Sequence, residues 1–246
     1  MLSLVVTSIF FVAGGMNSLE QLLGITECGG NNVASHTSPS VALIDPLASE
    51  SPNSRFVETV RSLAGLAGYA FDYYPPWTAT MDTFIHLPEK GYTMIIIRSH
   101  VGYDGGSYLP VALTTSEPYS QTNRVGDQLD DRLVSVGING SGYFGMTPKF
   151  VTETMCGRFP STLVLAMGCS TMVHNDFAEA FVKKGAKEFI GWNTTVSVTW
   201  TDLIFGELVK LLLRGSSVGS AVQTVMDMPG VNSDLAKLLY YPAVPS

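Results

Sequence analysis

Three short runs, VALI (41–44), MIII (94–97) and LVLA (163–166), are apolar at every position; the first two stop on Asp45 and Arg98, and the third runs on through Met167 and Gly168 to Cys169. A strand with one wet face alternates apolar and polar side chains, whereas a strand covered on both faces has no polar position to give up. Runs of this kind therefore constrain the chain to a mainly parallel sheet buried between helices. The intervening segments agree. After VALIDPL comes NSRFVETVRSLAGLAG, in which Asn53 or Ser54 can cap a helix whose Phe56, Val57, Val60, Leu63, Ala64 and Ala67 share one face, with Gly68 as the stop. YAFDYY (69–74) reads as a second strand, TATMDTFIHLPEKG as a short helix, and MIIIRSH as a third strand.

Further along, GSYLPVALTTSEPYSQT and DRLVSVGINGSGYFG are extended and punctuated by glycine, which predicts a β-hairpin excursion beside the sheet. Thr147 and Pro148 open another helix as N-cap and first helical residue, TLVLAMG is a buried strand, and NDFAEAFVKKG is an amphipathic helix closed by Gly185. KEFIGW returns as a strand, followed by two helices, WTDLIFGELVKLLLRG and SSVGSAVQTVMDM, separated at Gly215. The expected fold is thus α/β, with a mainly parallel central sheet, helices on both faces and a hairpin excursion. An α/β domain of residues 41–246 follows an apolar N-terminal segment and linker, residues 1–40.

With 14 basic against 21 acidic residues the formal charge is −7, and no Lys/Arg run exists, so the chain lacks the electrostatic footprint of a nucleic-acid binder. The first 54 residues contain no Lys or Arg. Their opening, MLSLVVTSIFFVAGGM, is shorter than the roughly 20 residues a bilayer span needs. It reads equally as a signal remnant, the outer part of a membrane anchor through residues 2–16, or a buried strand. An anchor would place the domain outside the cytoplasm. CGGNNVASHTSPS (28–40) is a linker by its turn-forming composition.

The three cysteines, Cys28, Cys156 and Cys169, show no CxxC spacing and no HxxxH or HExxH accompanies them, so no metal or other cofactor is expected. Cys28 and Cys156 read as two unrelated thiols; in an exported domain they could instead pair and leave Cys169 free. Two other motifs are set aside. GSGYFG (140–145) matches a dinucleotide fingerprint but has no ribose-binding acid about 20 residues on, and reads as a glycine-rich turn. GSSVG (215–219) matches the hydrolase elbow but follows a helix rather than a strand, so Gly215 is a helix stop and Ser216 or Ser217 the next cap.

In parallel sheets ligands bind beyond the carboxyl ends of the strands. His100 and Cys169 both follow buried strands directly and would project at that edge. A nucleophilic thiol needs a base, and amide N–H groups for the oxyanion, which a strand end leading into a helix supplies. Of the other histidines, His36 lies in the linker and His86 in a short helix, while His174 is a backup base.

MIIIRSHVG paired with TLVLAMGCSTM, and then AEAFVKKGAKEFIGWNTTVS, resembles the caspase-like cysteine peptidases, the group of caspases, gingipains, legumains, separases and CHAT domains, over roughly residues 41–228. The resemblance implies a His100/Cys169 dyad, an oxyanion site at the amides of Gly102 and Cys169, and a peptide cleft with Trp192 and Asn193 on its wall. The implied activity is that of a cysteine endopeptidase acting on protein or peptide substrates. Two departures stand out: relatives carry His-Gly where this chain has His100-Val101-Gly102, and Met167-Gly168 precedes the cysteine. They keep open an inactive caspase-like module that binds or signals. Asp104, Asp176 and Asp202 are acids that could face a basic substrate residue, with nothing to rank them.

Overall fold

The computed structural model describes Cys28 and residues 35–102, 112–228 and 236–242. The apolar segment 2–16, and with it the reading as signal, anchor or strand, lies outside the described residues; among those that are described, no helix is long and apolar enough to cross a membrane. Five parallel strands form the core of a six-stranded sheet: β1 (Ser40–Ile44), β2 (Ala70–Tyr74), β3 (Met94–Ile97), β8 (Leu163–Ala166) and β9 (Glu188–Trp192), in the order β2-β1-β3-β8-β9. A sixth, β10 (Leu238–Pro242), lies antiparallel on β9, from Leu238 opposite Trp192 to Pro242 opposite Glu188. It extends the sheet beyond the pattern read from the sequence. The chain runs outward from β1 to β2, then returns to β3 on the other side, which puts a topological switch point at the carboxyl ends of β1 and β3.

Why the apolar runs are unbroken is plain from the two cores. Val41, Leu43, Met94, Ile96 and Leu165 point to one face and pack under α1 (Ser54–Leu66), α6 (Val198–Leu213) and α7 (Val218–Met226). Their neighbours Ala42, Ile44, Ile95, Ile97 and Val164 point to the other, against α2 (Met81–Ile85), α4 (Pro148–Glu153) and α5 (Asp176–Lys183). The helix ends follow the local signals. Asn53 accepts from the Phe56 amide, Thr147 from Phe150 and Ser217 from Ser220, while Gly68, Gly185 and Gly215 close their helices with positive φ.

The excursion is larger than a hairpin. β4 (Val101–Gly102), β5 (Ala112–Pro118), β6 (Leu133–Ile138) and β7 (Ser141–Met146) form a second, antiparallel sheet in the order β4-β5-β7-β6, with α3 (Val125–Leu129) between β5 and β6. Asn139 and Gly140, both at positive φ, turn β6 into β7. The glycine-rich GSGYFG is therefore mostly strand rather than turn. Leu113, Phe144 and Met146 seat this sheet on the same core as α2 and α4.

Cys28 and Cys156 form a disulfide, which replaces the reading of two unrelated thiols and leaves Cys169 as the free cysteine. It ties the segment before β1 to the turn after α4. The same segment is held by the His36 ring, which bonds Asp72 at 2.9 Å and packs on Tyr92.

Tyr92 donates to Asp72 and shares a 2.7 Å hydrogen bond with Tyr74. Burial first, then the Asp72 carboxylate, pushes the Tyr92 phenol well above its ordinary range; burial likewise raises Tyr74 and Tyr73. The folded chain thus keeps protons that the unfolded chain sheds near pH 10, at about the free tyrosine value. The stability they confer is complete below about pH 10 and declines as the pH climbs above it. Thermal melts across this alkaline range should fall less steeply for Tyr92→Phe, which has no such proton to lose; parallel slopes would refute the assignment.

Candidate active site

Three adjacent parallel strands, β1, β3 and β8, deliver the residues that follow them to one edge. The first is Arg98, wholly buried. Its Nε and Nη2 donate to the two carboxylate oxygens of Asp202 at 2.7 and 2.9 Å, its Nη1 to Asp45 at 2.9 Å and its Nη2 also to the Ser51 carbonyl at 2.9 Å. Asn53 adds a 2.8 Å bond to Asp202. Burial works to discharge Arg98, but the hydrogen bonds and charge of Asp202 and Asp45 outweigh it and hold the guanidinium above its ordinary value. Burial raises Asp45, against the pull of Arg98. The cluster clamps the ends of β1 and β3 to the first turns of α6. Asp202 is thereby paired with Arg98; Asp176 sits in the first turn of α5, and Asp104 lies outside the described residues.

Two residues on, the His100 carbonyl accepts from the Thr114 amide at 3.0 Å and from its hydroxyl at 2.7 Å, so the chain leaves the main sheet and enters β4. The half-exposed imidazole donates from Nε2 to Glu50 Oε2 at 3.2 Å, and the same oxygen accepts from Asn139 Nδ2 at 2.9 Å. A carboxylate on Nε2 fixes the tautomer with Nδ1 as the unprotonated nitrogen, the one able to take a proton. A small recess beside this ring is lined by Leu47, Glu50, Thr115 and Tyr143.

β3 and β8 are in register, Ile97 opposite Ala166, and the Met167 amide donates to the Ile97 carbonyl at 2.8 Å. His100 and Cys169 each stand three residues past that pair. Gly168 lets the two strand ends approach: a Cβ there would lie 2.3 Å from Val101 Cγ2 and 2.9 Å from the Ser99 carbonyl oxygen. On the other side of the cysteine, Ser170 is held at φ 56°, a conformation side-chain-bearing residues seldom adopt. Its amide donates to the Thr194 carbonyl and that of Met172 to Trp192, so the β9–α6 connection pins the turn. The Cys169 thiol donates to the Val196 carbonyl at 3.2 Å and accepts from the Val196 amide at 3.4 Å. Val196 immediately precedes Ser197, the N-cap of α6, so the sulfur sits beside the amino-terminal end of that helix. The imidazole and the thiol are not hydrogen-bonded to each other.

Two expectations need correction. The Gly102 amide is committed to the β4–β5 ladder, where Gly102 faces Ala112 and Val101 faces Leu113. By the alternation of antiparallel bonding, which starts from the Thr114 amide on the His100 carbonyl, it is Val101 whose N–H points away from β5 to the open edge of β4. Gly102 is a glycine for another reason: a Cβ would meet Val136 Cγ2 at 2.6 Å. Trp192 does not line a cleft; its side chain is 0% exposed, packs on Phe205 and donates from Nε1 to Thr201 at 2.7 Å. Asn193 spends its carboxamide oxygen on the Lys237 amide at 2.7 Å, securing the approach to β10. Of the remaining histidines, His174, the backup base, is exposed in the turn after the cysteine.

Glu50 was not read from the sequence, although it obeys the rule that found His100: it lies in the connection leaving a buried strand at the same edge. A groove of about 540 Å³ between α1 and α6, lined by Ser51, Phe56, Val198, Leu203 and Glu207 among others, opens one residue from Glu50 and two from Val196.

No protein-family model matches the chain, and no curated protein matches it.

Gly168→Ala is expected to destabilise the fold by about 1–3 kcal/mol, as overpacking does, and to slow alkylation of Cys169. Denaturation and labelling rates measured together check this; a variant as stable and reactive as the parent would show that the close approach to Val101 is not needed.

Proposed function

We propose that the protein is a cysteine peptidase of the caspase-like kind, with Cys169 as nucleophile, His100 as base and Glu50 orienting the base. The observation that carries this reading is the placement of His100 and Cys169 at equal steps beyond adjacent parallel strands, with the far nitrogen of the imidazole fixed by a carboxylate. In the proposed reaction Nδ1 of His100 takes the thiol proton and the sulfur attacks a peptide carbonyl carbon. The oxygen of the tetrahedral intermediate is met by the main-chain N–H groups of Cys169 and Val101, and the imidazolium passes its proton to the departing amine. Water, deprotonated by His100, then releases the acyl group. Valine at position 101 is compatible with this, because the donor is a backbone amide that valine and glycine share.

The groove between α1 and α6 offers a bed for substrate residues beyond the scissile bond. The Cys28–Cys156 disulfide supports an oxidising compartment, in keeping with the N-terminal segment acting as a signal or anchor. A second reading, a non-catalytic module of the same architecture, draws on the engagement of the thiol by Val196 rather than by His100.

A peptide-library digest separates the two, with Cys169→Ala as the control: turnover in the parent alone supports the enzyme, and saturable peptide binding that survives Cys169→Ala without turnover supports the module. Within the enzyme reading, Glu50→Gln keeps the shape but removes the charge, and turnover should fall by about 10–100-fold with little change in KM. A rise in KM at constant kcat would instead place Glu50 among the substrate contacts.

A further inference from the structure

On the face of the molecule opposite the groove, four metal-ligand side chains converge that the sequence scatters over three segments. His86 closes α2 and Glu89 lies in the 3-10 turn Leu87–Lys90, three residues later. Cys156 follows α4 and is anchored to the same corner by its amide, which donates to the Ile85 carbonyl at 2.7 Å. One donor atom from each of His86, Glu89 and Cys156 lies within 4.8 Å of the others. Cys28 adds a second sulfur, bonded to that of Cys156. His86 Nδ1 and Glu89 Oε2 already share a 2.8 Å hydrogen bond, and Gly157 permits it: at φ 69° it carries no Cβ, which would meet Glu89 Cγ at 2.8 Å. The Asp82 carboxylate, 3.6 Å from His86 Nε2, stands as an outer partner for the ring.

Two thiolates, an imidazole and a carboxylate are a donor set suited to a tetrahedral divalent cation of zinc type, whose ligands sit about 2.0–2.3 Å from the metal. Motif spacing misses such a site because it tests only neighbours in sequence. With the disulfide closed, neither sulfur can serve as a thiolate.

We propose that the Cys28–Cys156 disulfide is the oxidised state of a zinc-type site completed by His86 and Glu89. A dithiol reductant supplies two electrons and two protons, the S–S bond breaks to give two thiols, and the reductant leaves as its own disulfide. Binding of the metal then displaces both thiol protons. The segment before β1 is cross-linked to the α2–α4 corner in either state, by sulfur under oxidising conditions and by metal under reducing ones. This inference does not depend on the peptidase reading.

The test uses the full chain, reduced with a phosphine without oxygen, freed of reductant and titrated with Co2+. Expected is one Co2+ per chain, with thiolate-to-cobalt charge transfer and the intense visible bands of a tetrahedral site, and no such spectrum from the unreduced chain. Zn2+ should shield Cys28 and Cys156 from iodoacetamide while Cys169 remains open to it. His86→Ala, whose fold can be checked in the disulfide form, should weaken Co2+ binding about 10–100-fold. If the reduced chain loses structure, the metal should restore it. A reduced chain that gives no tetrahedral spectrum, a spectrum indifferent to His86→Ala, shielding of Cys169 in place of the pair, or failure of the metal to restore lost structure overturns the proposal.

Discussion

Under the proposed mechanism, replacing Cys169 with alanine is expected to lower peptide turnover by about 10⁴-fold or more, since the acyl intermediate is carried on its sulfur. His100→Ala should cost about 10²–10⁴-fold, the usual worth of a positioned proton acceptor. The two effects should not add, because base and nucleophile act in the same step. Thiol labelling offers a readout that needs no substrate. Cys28 and Cys156 are joined, so in the unreduced protein iodoacetamide reports on Cys169 alone. Exposure by itself permits alkylation, and the informative quantity is the ratio of rates with and without His100. A rate unchanged in folded His100→Ala, together with no turnover of any library peptide by the parent, would leave the residues as neighbours without a shared task.

Arg98 supplies the second large effect. It is a wholly buried cation held by Asp202, Asp45 and the Ser51 carbonyl, and Arg98→Ala would strand two carboxylates in the interior. Breaking a buried pair in this way costs about 3–5 kcal/mol, a large part of the roughly 5–15 kcal/mol that keeps a domain folded. Urea denaturation measures it. The triple change Arg98→Met, Asp45→Asn and Asp202→Asn should recover much of the loss by leaving no unpaired charge. A loss for Arg98→Ala below about 1 kcal/mol would mean that water reaches the cluster and screens it. Where folding survives, the 45–51 connection carrying Glu50 loses its anchor, and turnover should drop in proportion to the disorder of His100.

How far the sequence discloses these arrangements depends on range. Caps such as Asn53, Thr147 and Ser217 act within four residues, so their signals are complete on the page. The strand ends at His100 and Cys169 were legible because unbroken apolar runs mark both the strand and its depth. Glu50 was not, because its value arises only when Asn139 and His100 arrive from other segments. Trp192 was misplaced for a related reason: an aromatic at a strand end suits a cleft or a core equally, and the choice is made by Thr201 and Phe205, which α6 brings over it. The Gly102 assignment failed on a finer point. A glycine two residues past a strand-end histidine invites an oxyanion reading, whereas only the pairing of β4 with β5 tells which amide is already taken. The Cys28–Cys156 link spans 128 residues, and no local pattern announces a partner that distant.

The hold of Val196 on the Cys169 sulfur joins residues 27 apart, and β3 meets β8 across a longer stretch still. During synthesis, at about 5–20 residues per second, a ribosome that has released the chain only as far as Cys169 has made the thiol but not its seat. The thiol acquires its geometry once β9 has docked and the connection to α6 has closed over it. Nascent chains crowded on one message therefore carry no assembled centre until that point, and if the centre cuts peptides, its unfinished neighbours are spared by the order in which the protein is made.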